Sequence, residues 1–218
     1  NNSIRARVVL LPANSAGDNI IFHAEGGDVV LPLLRQQKDG EECLSLSDFV
    51  KPCGTDYVGA FAVTAGRGIE EIISGYQQTD DFKALLYQSL SDRLAEAAAE
   101  LLHARVRREV WGYAPDERID RQRALRAQYR GIRPAAGYPS LPDQSAIFAI
   151  EKIVGFANVG IAVTPNGAMS PASSVSGLMI AHPASRYFMI GAIAPDQRSD
   201  YAARRGITEE ELSKWLPK

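Results

Sequence analysis

The stretch Arg133-Pro134-Ala135-Ala136-Gly137-Tyr138-Pro139-Ser140-Leu141-Pro142-Asp143-Gln144 holds a dense set of ligand-binding groups. Its prolines and glycine exclude a helix interior or a central strand, because proline fixes φ and removes an N–H donor while glycine permits left-handed backbone. What remains is a stiff loop with exposed carbonyls and N–H groups, a guanidinium at one end and a phenol in the middle. That equipment can hold a small polar ligand with an anionic end. The same composition also describes a proline-stiffened connection between two helices.

A second set of groups recurs at helical spacing. Asp92, Glu96 and Glu100 stack at i, i+4 and i+8, where like charges cost roughly 0.2–0.5 kcal/mol per pair in an isolated helix. Either this is a solvated acidic face, partly neutralised by Arg93 or Arg105, or Glu96 meets a ligand with hydroxyl or cationic groups. Tyr187 and Phe188 stand side by side at the start of an expected strand and point to opposite faces, so one can be core while the other lines a cleft. Arg105, Arg107, Arg108, Arg118, Arg121, Arg123, Arg126, Arg130 and Arg133 form an arginine-rich region, which reads as a solvated helix or as a docking face for an acidic protein. Gly66-x-Gly68 lacks the third glycine of a phosphate loop, and Glu70-Glu71 stand where phosphate would approach. No serine or cysteine has a histidine at a recognisable spacing, so no nucleophile–base pair stands out. A site that binds and presents a ligand fits these residues better.

The elements that must position these groups follow from periodicity and turn chemistry. Residues 4–11 read as a buried strand stopped by Pro12, Asn14–Asn19 as a turn, Ile20–Ala24 as a second strand and Val29–Leu31 as a third. Ser47–Val50 reads as a short turn and Tyr57–Thr64 as an uncharged central strand. A helix is predicted from Asp80 to about Val110, with Leu86, Leu90, Leu94, Ala97, Leu101 and Ala104 as its buried stripe. Further helices are predicted over Asp120–Arg130, from a Ser145 cap to Val154, over Asp196–Arg204 and over Glu209–Leu216, with Gly206 as a stop and Thr208/Glu211 as a capping box. Val159–Thr164, Ser174–Ile180 and Tyr187–Ala192 read as strands. The sum is one continuous α+β domain with a mostly antiparallel twisted sheet crossed by helices.

Composition narrows the class. The chain is 45% hydrophobic and 23% charged with a net charge of −2, a soluble globular balance that argues against general nucleic-acid binding. No apolar run reaches membrane-spanning length and the first residues resemble no secretory signal, so a cytoplasmic protein without membrane association is expected. Cys43 and Cys53 read as free thiols. His23, His103 and His182 are scattered and no CxxC or HExxH spacing occurs, so no protein-bound metal is expected.

The proline-rich loop resembles the Arg-Pro-Ala-x-Gly-Tyr-Pro motif of the C-terminal activation domain of cobalamin-dependent methionine synthase. Leu11-Pro12-Ala13-Asn14-Ser15-Ala16-Gly17-Asp18, Leu33-Leu34-Arg35-Gln36-Gln37, Tyr57-Val58-Gly59-Ala60-Phe61-Ala62-Val63-Thr64, Asp92-Arg93-Leu94-Ala95-Glu96-Ala97, Trp111-Gly112-Tyr113-Ala114-Pro115, Ser174-Val175-Ser176-Gly177 and His182-Pro183 resemble that family in order. The resemblance implies that residues 1–218 are an activation domain lacking the family's N-terminal helical segment, which contributes an acidic residue to the ligand site. It implies S-adenosylmethionine as methyl donor, cobalamin held by a separate module, and a flavodoxin-like electron donor. The implied activity is that of a methyltransferase that reactivates cob(II)alamin and needs the cobalamin module. The alternative is a non-catalytic adenosylmethionine-sensing or assembly module. The resemblance places Arg133, Ala135, Gly137, Tyr138, Tyr187, Phe188 and Glu96 at the ligand, with Arg133 clamping the amino acid carboxylate. Phe188 stands in place of a second tyrosine, and Gln144 where many relatives carry a histidine.

Overall fold

The computed structural model describes residues 4–38, 40–66 and 68–216, so Arg67 of Gly66-x-Gly68 lies outside the described residues. The strands are β1 (Arg5–Ala16), β2 (Asn19–Phe22), β3 (Val29–Pro32), β4 (Tyr57–Thr64), β5 (Ala162–Val163), β6 (Met169–Ser170) and β7 (Ser174–Met179). The helices are α1 (Ile69–Gln77), α2 (Asp81–Arg105), α3 (Arg121–Leu125), α4 (Ala146–Val154), α5 (Pro195–Arg205) and α6 (Glu209–Leu212). Five strands form an antiparallel sheet in the order β3-β2-β1-β4-β7, and β5 pairs with β6 alone.

Contrary to the sequence reading, Pro12 does not stop β1. Residues Arg5–Pro12 pair with β4 and Ala13–Ala16 pair with β2. Pro12 therefore sits where the strand changes partner, and its carbonyl still accepts from His23 N–H at 2.9 Å. A residue without an N–H fits such a handover, since it interrupts neither ladder. The following turn is tighter than expected, only Gly17-Asp18, with Gly17 at φ 57°.

β4 is buried from Val58 to Thr64 because both faces of the sheet are covered. Side chains alternate across a strand. Ala60 and Ala62 join Leu178, Ile147 and Ile150 on the α4 side, while Phe61 and Val63 join Met179, Ala99 and Val106 on the α2 side.

The long helix has the expected extent, but the expected buried stripe is wrong. Ala84, Ser91, Ala95, Ala99 and His103 are its buried residues, while Leu86, Leu90, Leu94 and Leu101 are 56%, 53%, 38% and 61% exposed. Phe61, Val63 and Met179 already bring bulk to the interface, and small residues on α2 let the helix approach that surface. After Arg105 the helix widens into a π turn over Val106–Val110.

Other boundaries also shift. α3 is five residues long rather than running to Arg130, because Ala127 takes φ 50° and breaks the helix. Ser145 makes no side-chain cap to α4. Phe156–Val159 is a 3-10 turn, leaving β5 only two residues long, and Tyr187–Ala192 forms no ladder. Gly206 ends α5 in the left-handed region, and Thr208 Oγ accepts from Glu211 N–H at 3.1 Å, while α6 ends at Leu212 rather than Leu216. Among the described residues no helix is long and apolar enough to cross a membrane.

Candidate functional site

The proline-rich stretch reaches the sheet as an edge partner of β7. Ile132 and Ile180 exchange backbone hydrogen bonds at 2.9 Å each way, and Leu178 N–H donates to the Pro134 carbonyl at 2.9 Å. Pro134 has no donor and takes part through its carbonyl alone. Gly177 makes this approach possible. A Cβ there would lie 2.3 Å from the Pro134 carbonyl oxygen and 2.9 Å from the Ala135 Cα.

The chain then turns on Gly137, at φ 84°. Gly137 N–H donates to Leu141, Tyr138 N–H to Ala135 and Leu141 N–H to Tyr138, at 2.9, 3.2 and 2.8 Å. The N–H groups of Gly137 and Tyr138 are thereby spent inside the turn. A Cβ on Gly137 would fall 2.2 Å from Gln144 Oε1, and Gln144 Nε2 donates to the Gly167 carbonyl at 3.0 Å. Gln144 thus packs under the turn.

Buried Asp143 ties the loop to α5. It accepts from Ser145 N–H at 2.8 Å, from the Ser145 hydroxyl and from Tyr201 Oη at 2.7 Å, and it pairs with Arg205. Burial, followed by the Asp143 charge, pushes the Tyr201 phenol well above its ordinary range. Ser140 anchors the other wall, since its hydroxyl donates to the Phe188 carbonyl and accepts from Phe188 N–H at 3.0 Å. Ile190 N–H donates to the Pro139 carbonyl at 3.0 Å. This latch replaces the strand expected over Tyr187–Ala192.

Three carboxylates of α2 each find a partner. Asp92 accepts from Gln88 at 2.8 Å and from Ser173 at 2.7 Å. Glu96 Oε1 accepts from Tyr138 Oη at 3.4 Å. Glu100 accepts from Arg133 Nη2 at 2.9 Å. Arg133, rather than Arg93 or Arg105, is the ion-pair partner of this column.

The Arg133 side chain is 16% exposed, and its Nε is enclosed without a partner among the described residues, as is Glu100 Oε1. Burial works against its charge, but the hydrogen bond and charge of Glu100 turn the net shift upward, so the guanidinium stays ionised. Its backbone N–H donates to Tyr187 Oη at 2.9 Å. Burial, then the Glu96 charge, raises the Tyr138 phenol. Behind Arg133, His103 is fully buried beside Tyr113 and Tyr129. Burial, helped by the charges of Arg107 and Arg133, pushes its pKa down to about 2, so it is neutral.

A cavity of 460 Å³ opens between α2, the loop and the latched segment. Six of the seven residues singled out from the sequence line it: Glu96, Arg133, Ala135, Tyr138, Tyr187 and Phe188. Gly137 does not; it lines an adjoining cavity of 600 Å³ with Pro142 and Arg198. Tyr187 and Phe188 both line the cavity, but Tyr187 is largely exposed while Phe188 also packs against the core, its ring centroid 6.4 Å from that of Phe49, so the expected division between core and cleft is partly kept. Sequence reasoning missed Ser140, Val175 and Met189. Met189 continues the aromatic pair and Ser140 lies within the singled-out loop, but Val175 carries no signal apart from its place on β7. Among the described residues no group of His, Cys, Asp and Glu could hold a metal ion. The cavity offers one cation, one carboxylate, two phenols and apolar walls, which suits binding and orienting a zwitterionic ligand.

Comparison with known proteins points the same way. Residues 1–206 match the family model of the vitamin B12 dependent methionine synthase activation domain. A crystal structure of the MetH reactivation domain bound to AdoHcy superposes with a TM-score of 0.91 and 39% sequence identity, covering 97% of this chain and 69% of that one.

Proposed function

Because the chain belongs to the family of vitamin B12 dependent methionine synthase activation domains, we propose that its 460 Å³ cavity binds S-adenosylmethionine and presents the methyl group for reactivation of cob(II)alamin. The observation that carries this reading is the convergence of Arg133, Glu96, Tyr138 and Tyr187 on one cavity, in a fold that superposes on a relative bound to AdoHcy. Arg133 uses Nη2 for Glu100, and its remaining guanidinium face meets the ligand carboxylate. Glu96 faces the cationic part of the ligand, where its negative charge favours sulfonium or ammonium. Tyr187 closes one wall, and Phe188 contributes packing without a hydroxyl.

The sulfonium is already activated, so the chain's part is orientation and partial exclusion of water. One electron and the methyl group convert cob(II)alamin to methylcobalamin and release S-adenosylhomocysteine. The corrinoid belongs to a separate module, and the electron comes from a flavodoxin-like donor in the cytoplasm. The methyltransferase activity is therefore shared with the cobalamin module rather than carried by this chain alone.

Calorimetry with S-adenosylmethionine tests binding, and Arg133→Ala is expected to weaken it by about 1.5–3 kcal/mol through loss of a charged hydrogen bond. Reductive methylation with an added cobalamin module tests turnover. Binding without turnover in that mixture would favour a sensing module, and an unchanged dissociation constant for the arginine variant would remove the clamp.

A further inference from the structure

Arg133 is held at both ends by groups outside the proline-rich loop. Its backbone N–H donates to Tyr187 Oη and its Nη2 to Glu100, each at 2.9 Å. Glu100 approaches from behind. Arg133 lines both the 460 Å³ ligand cavity and a neighbouring cavity of 560 Å³, whereas Glu100 lines only the second of these two. Glu100 Oε1 is enclosed and has no partner among the described residues, so the carboxylate serves Arg133.

A second carboxylate competes for the same guanidinium. Glu96 precedes Glu100 by one turn of α2, which sets the two side chains next to each other, and it lines both cavities together with Arg133. The arginine fork matches any carboxylate it can reach. Among the described residues, however, the ion pair is made with Glu100, and Glu96 accepts from Tyr138 Oη at 3.4 Å.

We infer that Glu100 is a positioning residue: it draws Arg133 away from Glu96, so that the ligand cavity presents a guanidinium and a carboxylate as separate charges to a zwitterion. The inference rests on the S-adenosylmethionine reading above. An Arg133 closed onto Glu96 would neutralise both groups, and the ligand's carboxylate and its cationic centres would lose their counter-ions together. Holding the guanidinium from behind also fixes its direction before the ligand arrives, which moves the ordering cost out of binding.

The test is calorimetry on the full chain with two ligands. S-adenosylmethionine carries the carboxylate, ammonium and sulfonium, whereas 5′-methylthioadenosine keeps the nucleoside and sulfur without any of these charges. Glu100→Gln preserves the shape of the side chain and removes its charge. It is expected to weaken S-adenosylmethionine binding about tenfold, while 5′-methylthioadenosine binding stays within about twofold. A merely structural role would lower both affinities alike. The second arm adds Glu96→Gln. With no front carboxylate to capture Arg133, the double variant is expected to bind S-adenosylmethionine no more weakly than Glu100→Gln alone, so the two losses do not multiply. This arm decides by itself where 5′-methylthioadenosine binds too weakly to measure, and circular dichroism confirms that each variant is folded. Equal losses for both ligands, an unchanged S-adenosylmethionine affinity in Glu100→Gln, or losses that multiply in the double variant would overturn the inference and leave the ligand reading standing. A wild-type chain that binds neither compound would sink both.

Discussion

Replacing Gly177 by alanine tests whether the edge pairing of the loop with β7 sets the ligand site. The new Cβ would lie 2.3 Å from the Pro134 carbonyl oxygen, against an ordinary contact of about 3.4 Å, so the loop must withdraw by about 1 Å. The obstructing atoms are backbone, and no flexible side-chain end can swing aside. Gly177 does not occupy the left-handed region, so the effect is steric and alanine adds no φ strain there. Withdrawal stretches the Leu178–Pro134 hydrogen bond, now 2.9 Å, at a cost of about 0.5–1.5 kcal/mol in stability. Arg133 and Ala135 move with Pro134, and a misplacement of about 1 Å in positioning groups can cost on the order of 100-fold. S-adenosylmethionine affinity is therefore expected to fall about 10- to 100-fold, measured by calorimetry beside urea denaturation. Gly75→Ala is the control, since a Cβ there meets nothing within 4 Å. A folded Gly177→Ala protein with wild-type affinity would refute the claim that loop placement controls the site.

Glu100→Gln removes the anionic partner of a guanidinium that is 16% exposed, while Glu100 itself is 32% exposed. Allowing for that partial solvation, a loss of about 1–2 kcal/mol is expected, and an unchanged urea midpoint would show the pair to be energetically idle. His103 gives a pH signature. Its folded pKa is pushed down to about 2, so between about pH 2 and the unfolded value of about 6.5 the unfolded chain holds more protons. Stability should therefore fall as pH drops below about 6.5, by up to about 1.4 kcal/mol per unit. Chemical denaturation at about pH 6.5, 5.8 and 5, above the carboxylate range, should show His103→Gln with a flatter profile; parallel slopes would assign the dependence elsewhere.

Legibility from sequence followed the range of the forces involved. β4 could be read from Tyr57–Thr64 because an uncharged apolar run bounded by polar residues needs no knowledge of its neighbours. The Arg133 loop could be read because proline and glycine act locally. α2 was legible in length but not in orientation. Its alanine row and its leucine row both recur at helical spacing, and the choice between them depends on Phe61, Val63 and Met179 across the interface. Tyr187–Ala192 has strand-like composition but no free edge, because Ile132–Ala135 already occupies the outer side of β7. Arg133 and Glu100 are 33 residues apart, and no helical spacing could have paired them.

The carboxylate column of α2 joins these points. Read as an isolated helix, Asp92, Glu96 and Glu100 repel one another. In the fold each is engaged by a different segment: Ser173 beside β7, Tyr138 in the loop and Arg133 at the loop's start. The apparent local conflict is thus relieved only by tertiary assembly. The loop is also held from behind, through Asp143 to Tyr201 and Arg205 of α5 and through Gln144 to Gly167. Its anchors come from distant parts of the chain, so no short fragment containing the proline motif can reproduce the cavity. Preorganisation of this kind places the ordering cost in folding instead of in ligand binding, which is what a site that orients a methyl donor requires.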